Sequence, residues 1–247
     1  MSALVQAVQR LVRSFGNRGI VETFCHILHR LRIISVLHTF NLVFQELENC
    51  TSDSLDGREC AYQRKGMELI FREIKEDELE NLEYADGMYS YEIMRKHFRR
   101  GMRFFAAFYQ GVVISVNGVN TRYAHLDYIG MSLVHLPEKV AYMNCALTVE
   151  SFRNLEVGAV LRRYILDQIY NEGYRMVIAA IYPDNQGALR WNLRNGFKLW
   201  GKILFIKWRG QNFWWRRLTK KGRRYPHLLD KTVKGRPIRE VAMEAVQ

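Results

Sequence analysis

One segment, residues 153–197, constrains this chain more than any other. It begins with the loop-like sequence RNLEVGA, continues with apolar residues at helical spacing, and ends with NQGALRWNLRNGF. A short loop that runs straight into a helix directs several backbone N–H groups to one point, where the helix dipole favours negative charge. Gly158 has no side chain to block these groups. The segment therefore predicts a phosphate-bearing ligand held by backbone rather than by side-chain charge.

The apolar pattern around this segment predicts an α+β fold. An antiparallel meander comes first, with a hairpin at Gln110-Gly111, and a strand–helix–strand unit follows that requires a parallel crossover. No GxGxxG motif follows the first strand, so a dinucleotide-binding Rossmann fold is disfavoured. The predicted strands are 67–74, 103–109, 112–116, 142–149, 176–181 and 199–208, and the predicted helical regions are 75–101, 160–172 and 186–195.

The four cysteines do not form a recognisable ligand or redox pattern. They stand at positions 25, 50, 60 and 145, which fits neither zinc-ligand spacing nor a CxxC pair. We therefore predict no metal, and reduced thiols of a cytoplasmic protein. Cys145 is expected to be a buried, inert thiol rather than a nucleophile, because the sequence shows no adjacent basic partner.

The first 65 residues differ from the rest. Leu4, Val8, Leu11 and Phe15 recur at helical spacing, and residues 1–45 as a whole predict amphipathic helices. These helices either pack on the main domain or lie on a membrane surface. The uncharged run 33–45 is shorter than the roughly 18 residues of a membrane-spanning helix. The predicted division is a helical extension and linker over 1–65, a main domain over 66–208, and a basic tail over 209–247.

Positive charge is concentrated at the C-terminal end. Residues 1–197 carry 23 basic and 22 acidic residues, whereas residues 198–247 carry 14 basic and 3 acidic residues. Aromatic residues stand beside basic ones in Phe213–Arg217, which is typical of a membrane interface, of single-stranded nucleic acid, or of a Trp pair packed on a sheet edge. Basic segments at both ends favour an anionic membrane over nucleic acid. We expect a cytoplasmic protein, with peripheral attachment to the inner membrane face as the alternative.

Two motifs in the segment 153–197 resemble those of the GNAT superfamily of acyl-CoA-dependent N-acyltransferases. The family's cofactor motif, Gln/Arg-x-x-Gly-x-Gly/Ala after the fourth strand, matches Arg153 to Gly158. The second pattern, Asn-x-x-Ala followed by Tyr-x-x-x-Gly-Phe, matches Asn185 to Ala188, then Asn192 and Gly196-Phe197. The resemblance covers residues 66–208. It implies a GNAT-like mixed, mostly antiparallel sheet flanked by helices, with a gap between the fourth and fifth strands.

The resemblance also implies acetyl-CoA or another acyl-CoA as co-substrate. The amides of residues 156–159 would meet the pyrophosphate, and backbone N–H groups near 147–149 would polarise the thioester carbonyl. Asn185 would hold the pantetheine arm or cap the following helix. Glu156 replaces the motif's first glycine and would have to turn outward, toward Arg162 or Arg163. The residues implied in cofactor binding are Leu147, Thr148, Val149, Arg153, Asn154, Leu155, Glu156, Val157, Gly158, Ala159 and Asn185.

Direct attack of an amine on the thioester needs a base for the amine and a proton donor for the leaving thiolate. Glu150, at the end of the fourth strand, is the first candidate base, and a solvated loop carboxylate is its alternative role. Asn192 stands where many relatives have a tyrosine thought to protonate the thiolate, and it can donate a hydrogen bond but not transfer a proton. Tyr182 is a candidate acid. Further candidates are His125 and Asp127 as bases and Tyr142 as an acid.

The sequence thus predicts a GNAT-type N-acyltransferase that moves an acetyl or other acyl group to a primary amine. The acceptor would be a small molecule, such as an amino sugar, or a lipid-linked amine. The alternative is a non-catalytic acyl-CoA-binding or membrane-associated module on the same fold, because Glu156 and Asn192 depart from the family pattern.

Overall fold

The computed structural model describes residues 36–48, 59–64, 66–126, 131–208 and 211–224, together with residues 27, 28 and 30. Its strands are β1 (Val36–Glu46), β2 (Glu59–Arg64), β3 (Met67–Ile74), β4 (Glu83–Tyr84), β5 (Arg103–Tyr109), β6 (Val112–Asn120), β7 (Tyr123–Leu126), β8 (Met131–His135), β9 (Val140–Thr148), β10 (Met176–Ile181), β11 (Lys198–Trp208) and β12 (Gln211–Leu218). Its helices are α1 (Tyr91–Phe98), α2 (Val157–Asn171) and α3 (Gln186–Arg194), with short 3₁₀ turns at Glu76–Asn81, Glu150–Phe152 and Gly222–Arg224.

In the described part of the chain, ten strands form one sheet. The order is β12-β11-β1-β10-β9-β6-β5-β3-β2, with β4 paired to the start of β6, and β7 and β8 form a separate hairpin. The β9–β10 and β4–β6 pairs are parallel, and the other pairs are antiparallel. This architecture confirms the predicted α+β fold with a mixed, mostly antiparallel sheet.

The parallel pair β9–β10 opens into a gap. Pairing is confined to Val140–Tyr142 of β9 and Met176–Ile178 of β10. Beyond these residues β9 continues to Thr148, still paired with β6 on its other edge, and β10 continues to Ile181, still paired with β1. The two strands therefore part toward their carboxyl ends, as the resemblance implied.

The helices cover the two faces of the sheet around this gap. Tyr164, Ile165 and Ile169 of α2 are buried against β5, β6 and β9 in the largest apolar cluster. Met94 of α1 is buried in a cluster on the other face. The C-terminal end of α2 is tied to the sheet because Arg103 contacts Glu172 at 2.6 Å, and the pKa of Arg103 is raised by its carboxylate partners.

The prediction that residues 36–45 are helical is wrong. These residues form β1, which lies between β10 and β11 and pairs with both. Phe40, Leu42 and Phe44 are buried in one cluster and Val43 in another, so both faces of the strand are covered. A strand buried on both faces has a continuous apolar run rather than an alternating one, and periodicity does not separate it from a buried helix.

Two further differences concern the chain ends and the acidic segment. The prediction of a helical region over 75–101 holds only for α1 and a 3₁₀ turn, since Glu83–Tyr84 joins the sheet. Strand β12, from the predicted tail, pairs with β11 along its whole length.

The predictions made for residues 1–26, 31–35 and 225–247 lie outside the described residues. Among the described helices, none is long and apolar enough to cross a membrane.

Candidate active site

The loop between β9 and α2 has the backbone conformation of a glycine-containing turn. Asn154 and Glu156 both lie in the left-handed region, each with φ of 63°. For an L-residue this conformation costs about 1–2 kcal/mol, which glycine avoids. Glu156 stands at the motif's first glycine, so the backbone there keeps the glycine-like conformation although the side chain is larger. Substitution by Glu has therefore preserved the turn at an energetic cost.

The first turn of α2 has two backbone N–H groups without a partner in the helix. The N–H groups of Ala159 and Val160 both donate to the Glu156 carbonyl and are the first to do so in the helix. The N–H groups of Val157 and Gly158 precede them and have no carbonyl one turn back in α2 to bond. The side chain of Val157 is buried, so this residue can meet a ligand only through its backbone.

Gly158 brings α2 unusually close to β9. A Cβ atom at this position would lie 2.9 Å from Thr148 Oγ1, closer than real Cβ contacts. Thr148 Oγ1 is itself held by Ser115 Oγ at 2.8 Å. Arg153 Nε donates to the Thr148 carbonyl at 3.2 Å. The structure thus brings together Thr148, Arg153 and Gly158, three of the residues predicted to bind the cofactor.

These features fit a phosphate group of coenzyme A. The N–H groups of Val157 and Gly158 are unused within the helix, whereas the Ala159 amide, also predicted to meet the pyrophosphate, is bonded to the Glu156 carbonyl. A side chain at 158 would fill the cradle, and the exposed Arg153 supplies positive charge at its rim. Leu155, another of the predicted loop residues, is partly buried and packs against the apolar core. Asn154, Glu156 and Ala159 are wholly or partly exposed beside it.

Residues predicted around the thioester occupy different positions. Leu147 is partly buried, and its carbonyl accepts from Ser115 Oγ at 3.0 Å. Val149 N–H donates to the Ile114 carbonyl at 3.1 Å, so the prediction that it polarises a thioester is not favoured. Glu150 is exposed and begins the 3₁₀ turn between β9 and α2. It remains available as a base at the carboxyl end of β9.

Other candidate residues lie at the carboxyl end of β10. Tyr182 follows that strand directly and is 38% exposed. Asn185 Oδ1 accepts from the Ala188 N–H at 3.0 Å, which is the N-cap role considered as its alternative. Tyr142 is fully buried, which does not favour it as an acid. Asp127 and the side chain of His125 lie outside the described residues.

Comparison with known proteins identifies the family. A family model described as "Acetyltransferase (GNAT) family" matches residues 69–197, more than half of the chain. The chain belongs to the GNAT acetyltransferase family. The matched region contains the β9–β10 gap, the loop at Glu156 and both helices around it. No curated protein sequence matches this GNAT chain.

Solved structures that resemble this GNAT chain are distant. A GNAT-family protein from Novosphingobium aromaticivorans is 12% identical with a TM-score of 0.41, and the match covers 70% of this chain and 65% of that one. The aminoglycoside N-acetyltransferase AAC(6')-Iy, in complex with CoA, is 19% identical with a TM-score of 0.38, covering 52% and 90%. The IAA acetyltransferase from Bacillus cereus is 15% identical with a TM-score of 0.39, covering 53% and 77%.

Asn192 departs from the family tyrosine, and its amide is used inside this GNAT chain. Its Nδ2 donates to the Ala188 carbonyl at 2.8 Å, and its Oδ1 accepts from Arg162 Nη2. Asn192 is 7% exposed. Both ends of the amide thus have partners within α2 and α3. Its predicted part in thiolate release stays a prediction.

Arg162 is a residue that the sequence reasoning misplaced. It was expected to be a partner for Glu156, but its guanidinium lies 4.1 Å from the ring centre of Trp191 and 4.4 Å from that of Phe197. Arg162 is 4% exposed, and its Nε and Nη1 have no hydrogen-bond partner. Burial lowers the pKa of Arg162 to about 9. A basic residue on an apolar helix face was the only signal in the sequence for this position.

Proposed function

We propose that this GNAT chain transfers an acyl group from acyl-CoA to a primary amine. The observation that carries the proposal is the junction at Gly158, where unused N–H groups of α2 meet the carboxyl end of β9 beside an open β9–β10 gap. This arrangement offers a phosphate cradle next to a passage between strands. Both features are needed to hold a long thioester with its phosphates outside and its reactive end inside.

The residues of this site divide the work as follows. The N–H groups of Val157 and Gly158 hold phosphate, and Arg153 adds a charged contact at the rim. When bound, acyl-CoA supplies an activated acyl group. Glu150 at the end of β9 removes a proton from the amine, directly or through water, and Tyr182 at the end of β10 donates a proton to the departing sulfur. A thiol with a pKa near 8.5 leaves readily, so this donation is a modest aid.

The acceptor is proposed to be an amine on a small molecule or on a lipid-linked intermediate. Residues 1–197 have almost equal numbers of basic and acidic residues, so this part of the chain has little preference for an acidic polymer. Residues 198–247 are basic and favour an anionic surface. We propose that the chain works in the cytoplasm, where its C-terminal segment draws it to the inner membrane face. Nucleic acid is not proposed as a partner.

A second candidate is a non-catalytic acyl-CoA-binding module. It is favoured by one observation, namely that both ends of the Asn192 amide are engaged by Ala188 and Arg162. A site whose expected proton donor is replaced and locked could bind the coenzyme without turning it over. The two functions differ in whether free thiol is released.

Calorimetry and a thiol-release assay separate these functions. We expect acetyl-CoA to bind at micromolar concentration and a panel of amines, including amino sugars, to contain at least one that releases coenzyme A thiol. Binding without release for any amine would favour the module. Absence of binding at high micromolar concentration would refute both.

A further inference from the structure

The guanidinium of Arg162 is buried without a counter-ion from the protein. In the described part of the chain no carboxylate forms a salt bridge with it, and burial is the cause of its lowered pKa. Its Nη2 donates to the neutral amide of Asn192, and its Nε and Nη1 have no partner among the described residues. Buried charges in proteins are usually paired, because removing a charge from water is costly. A buried cation that the protein does not neutralise is therefore a candidate partner for an anionic ligand.

This charge lies close to the start of α2. Arg162 follows Gly158 by four residues, so the two positions share one face of the helix with about 6 Å between them. The guanidinium carbon is 4.1 Å from the ring centre of Trp191, and Cζ2 of the same residue is 3.9 Å from the Cβ position at Gly158. A single indole ring thus separates the guanidinium from the proposed phosphate cradle.

Burial makes the charge of Arg162 effective over this distance. The rings of Trp191 and Phe197 pack against the guanidinium at 4.1 and 4.4 Å, and a charge held away from water is screened less than one at the surface. The loop itself contributes the exposed Arg153 and the exposed Glu156, which have opposite charges. With a pKa of about 9, Arg162 is a cation at neutral pH. It therefore adds positive charge behind a loop whose own two charges oppose each other.

We infer that Arg162 is the internal counter-ion of the bound coenzyme, stabilising its phosphates through the start of α2 rather than by direct contact. This inference rests on the proposed function, because acyl-CoA is the ligand that brings the phosphates. In the free protein the buried guanidinium lowers stability, and the anion held at the first turn of α2 offsets that cost. A residue that is unfavourable for folding thus contributes to affinity.

The size of the effect follows from the distance. Two unit charges about 10 Å apart, at the effective dielectric constant of about 20 found for protein sites, change a binding constant by about tenfold. The effect depends on charge and not on the shape of the side chain. Two substitutions that change the charge equally but the packing differently should therefore weaken binding to the same extent.

Neutralisation of the charge in two ways tests the inference. Asn192→Asp keeps the guanidinium in place and gives it a carboxylate, whereas the double variant Arg162→Met, Asn192→Leu removes it. We expect both variants to melt at or above the wild-type temperature and to bind acetyl-CoA about tenfold more weakly in calorimetry. Arg163→Met is the matched control, because it removes an exposed charge from the next position of α2 and should change affinity by no more than about twofold.

A thioester without phosphates separates charge from packing. S-acetylpantetheine at millimolar concentration should bind wild type and both variants equally. An equal loss for S-acetylpantetheine and acetyl-CoA would assign the effect to packing and overturn the inference. Wild-type affinity for acetyl-CoA in both variants would also overturn it and leave the proposed function standing. Absence of acetyl-CoA binding by wild type would overturn both, and that result is read before any variant is compared.

Discussion

Glu156 departs from the family pattern, but the backbone conformation of the motif is kept at this position. Its backbone has the left-handed conformation of the glycine it replaces, and the exposed carboxylate is anchored at the first turn of α2. The proposed phosphate cradle uses N–H groups, so it would survive the substitution. Two costs are then expected, backbone strain at Glu156 and repulsion between its carboxylate and a bound phosphate.

Restoring the glycine should remove both costs. We expect Glu156→Gly to tighten acetyl-CoA binding severalfold and to leave stability unchanged or higher by up to about 1 kcal/mol, because relief of strain offsets the greater chain entropy of glycine. Glu156→Gln removes only the charge and keeps the strain. Calorimetry and urea denaturation of both variants separate the two contributions. If neither variant changes affinity, the carboxylate does not face the phosphate.

Arg162 and Asn192 form a buried polar pair whose contribution to the free energy of unfolding can be measured. We expect Arg162→Met to be about 1–3 kcal/mol less stable than the double variant Arg162→Met, Asn192→Leu, because the single variant leaves Asn192 Oδ1 without its donor. The double variant should match or exceed wild type, since it removes a guanidinium buried without a carboxylate. Urea denaturation at neutral pH gives the free energies.

Arg163→Met serves as the control for the Arg162 series. Arg163 is exposed on the same helix, so its replacement should change the free energy of unfolding by no more than about 0.5 kcal/mol. A double variant several kcal/mol below wild type would mean that the aromatic contacts of Arg162 outweigh its cost of burial.

At the scale of elements, α2 is positioned by one close approach at its start. Gly158→Ala places a methyl group against Thr148 Oγ1, which is held by Ser115. We expect this variant to bind acetyl-CoA at least tenfold more weakly and to lose about 1–3 kcal/mol of stability, because the helix must shift away from β9. Gly187→Ala is the matched control in the first turn of α3.

The control should behave in the opposite way. A Cβ at Gly187 would have its nearest neighbour, Asn185 Oδ1, at 3.9 Å, so it meets no obstacle. Replacement of a helical glycine by alanine then stabilises by about 0.5–1 kcal/mol. Wild-type affinity in Gly158→Ala would show that the cradle does not depend on this approach.

Elements with local signals were predictable and β1 was not. The hairpin between β5 and β6 has its turn at Gln110 and Gly111, both with positive φ, which matches the predicted tight turn. The helices α2 and α3 end near Gly173 and Gly196, both left-handed. By contrast, the strand identity of β1 depends on partners at least 130 positions away. The contact between Cys145 Sγ and His97 Nε2, which lie 3.7 Å apart, could not be predicted for the same reason, since no local sequence pattern joins β9 to α1.

At the scale of the whole molecule, β1 joins β10 to the β11–β12 hairpin. We expect Phe44→Ala to cost about 3–5 kcal/mol and to shift the entire unfolding transition, because Phe44 is 1% exposed and its strand is shared by both neighbours. Glu48→Ala, at an exposed position just beyond β1, is the control. Circular dichroism and tryptophan fluorescence should report the same midpoint. A second transition at lower denaturant would show that the hairpin folds independently.

The same strand order has a consequence for synthesis. The apolar β1 is synthesised before both of its partners, which lie after residue 175. At about 5–20 residues per second, the delay is on the order of 10 s. During that time Phe40, Leu42, Val43 and Phe44 have no native neighbours in the sheet to cover them. The nascent chain is thus expected to depend on chaperones until β10 and β11 emerge.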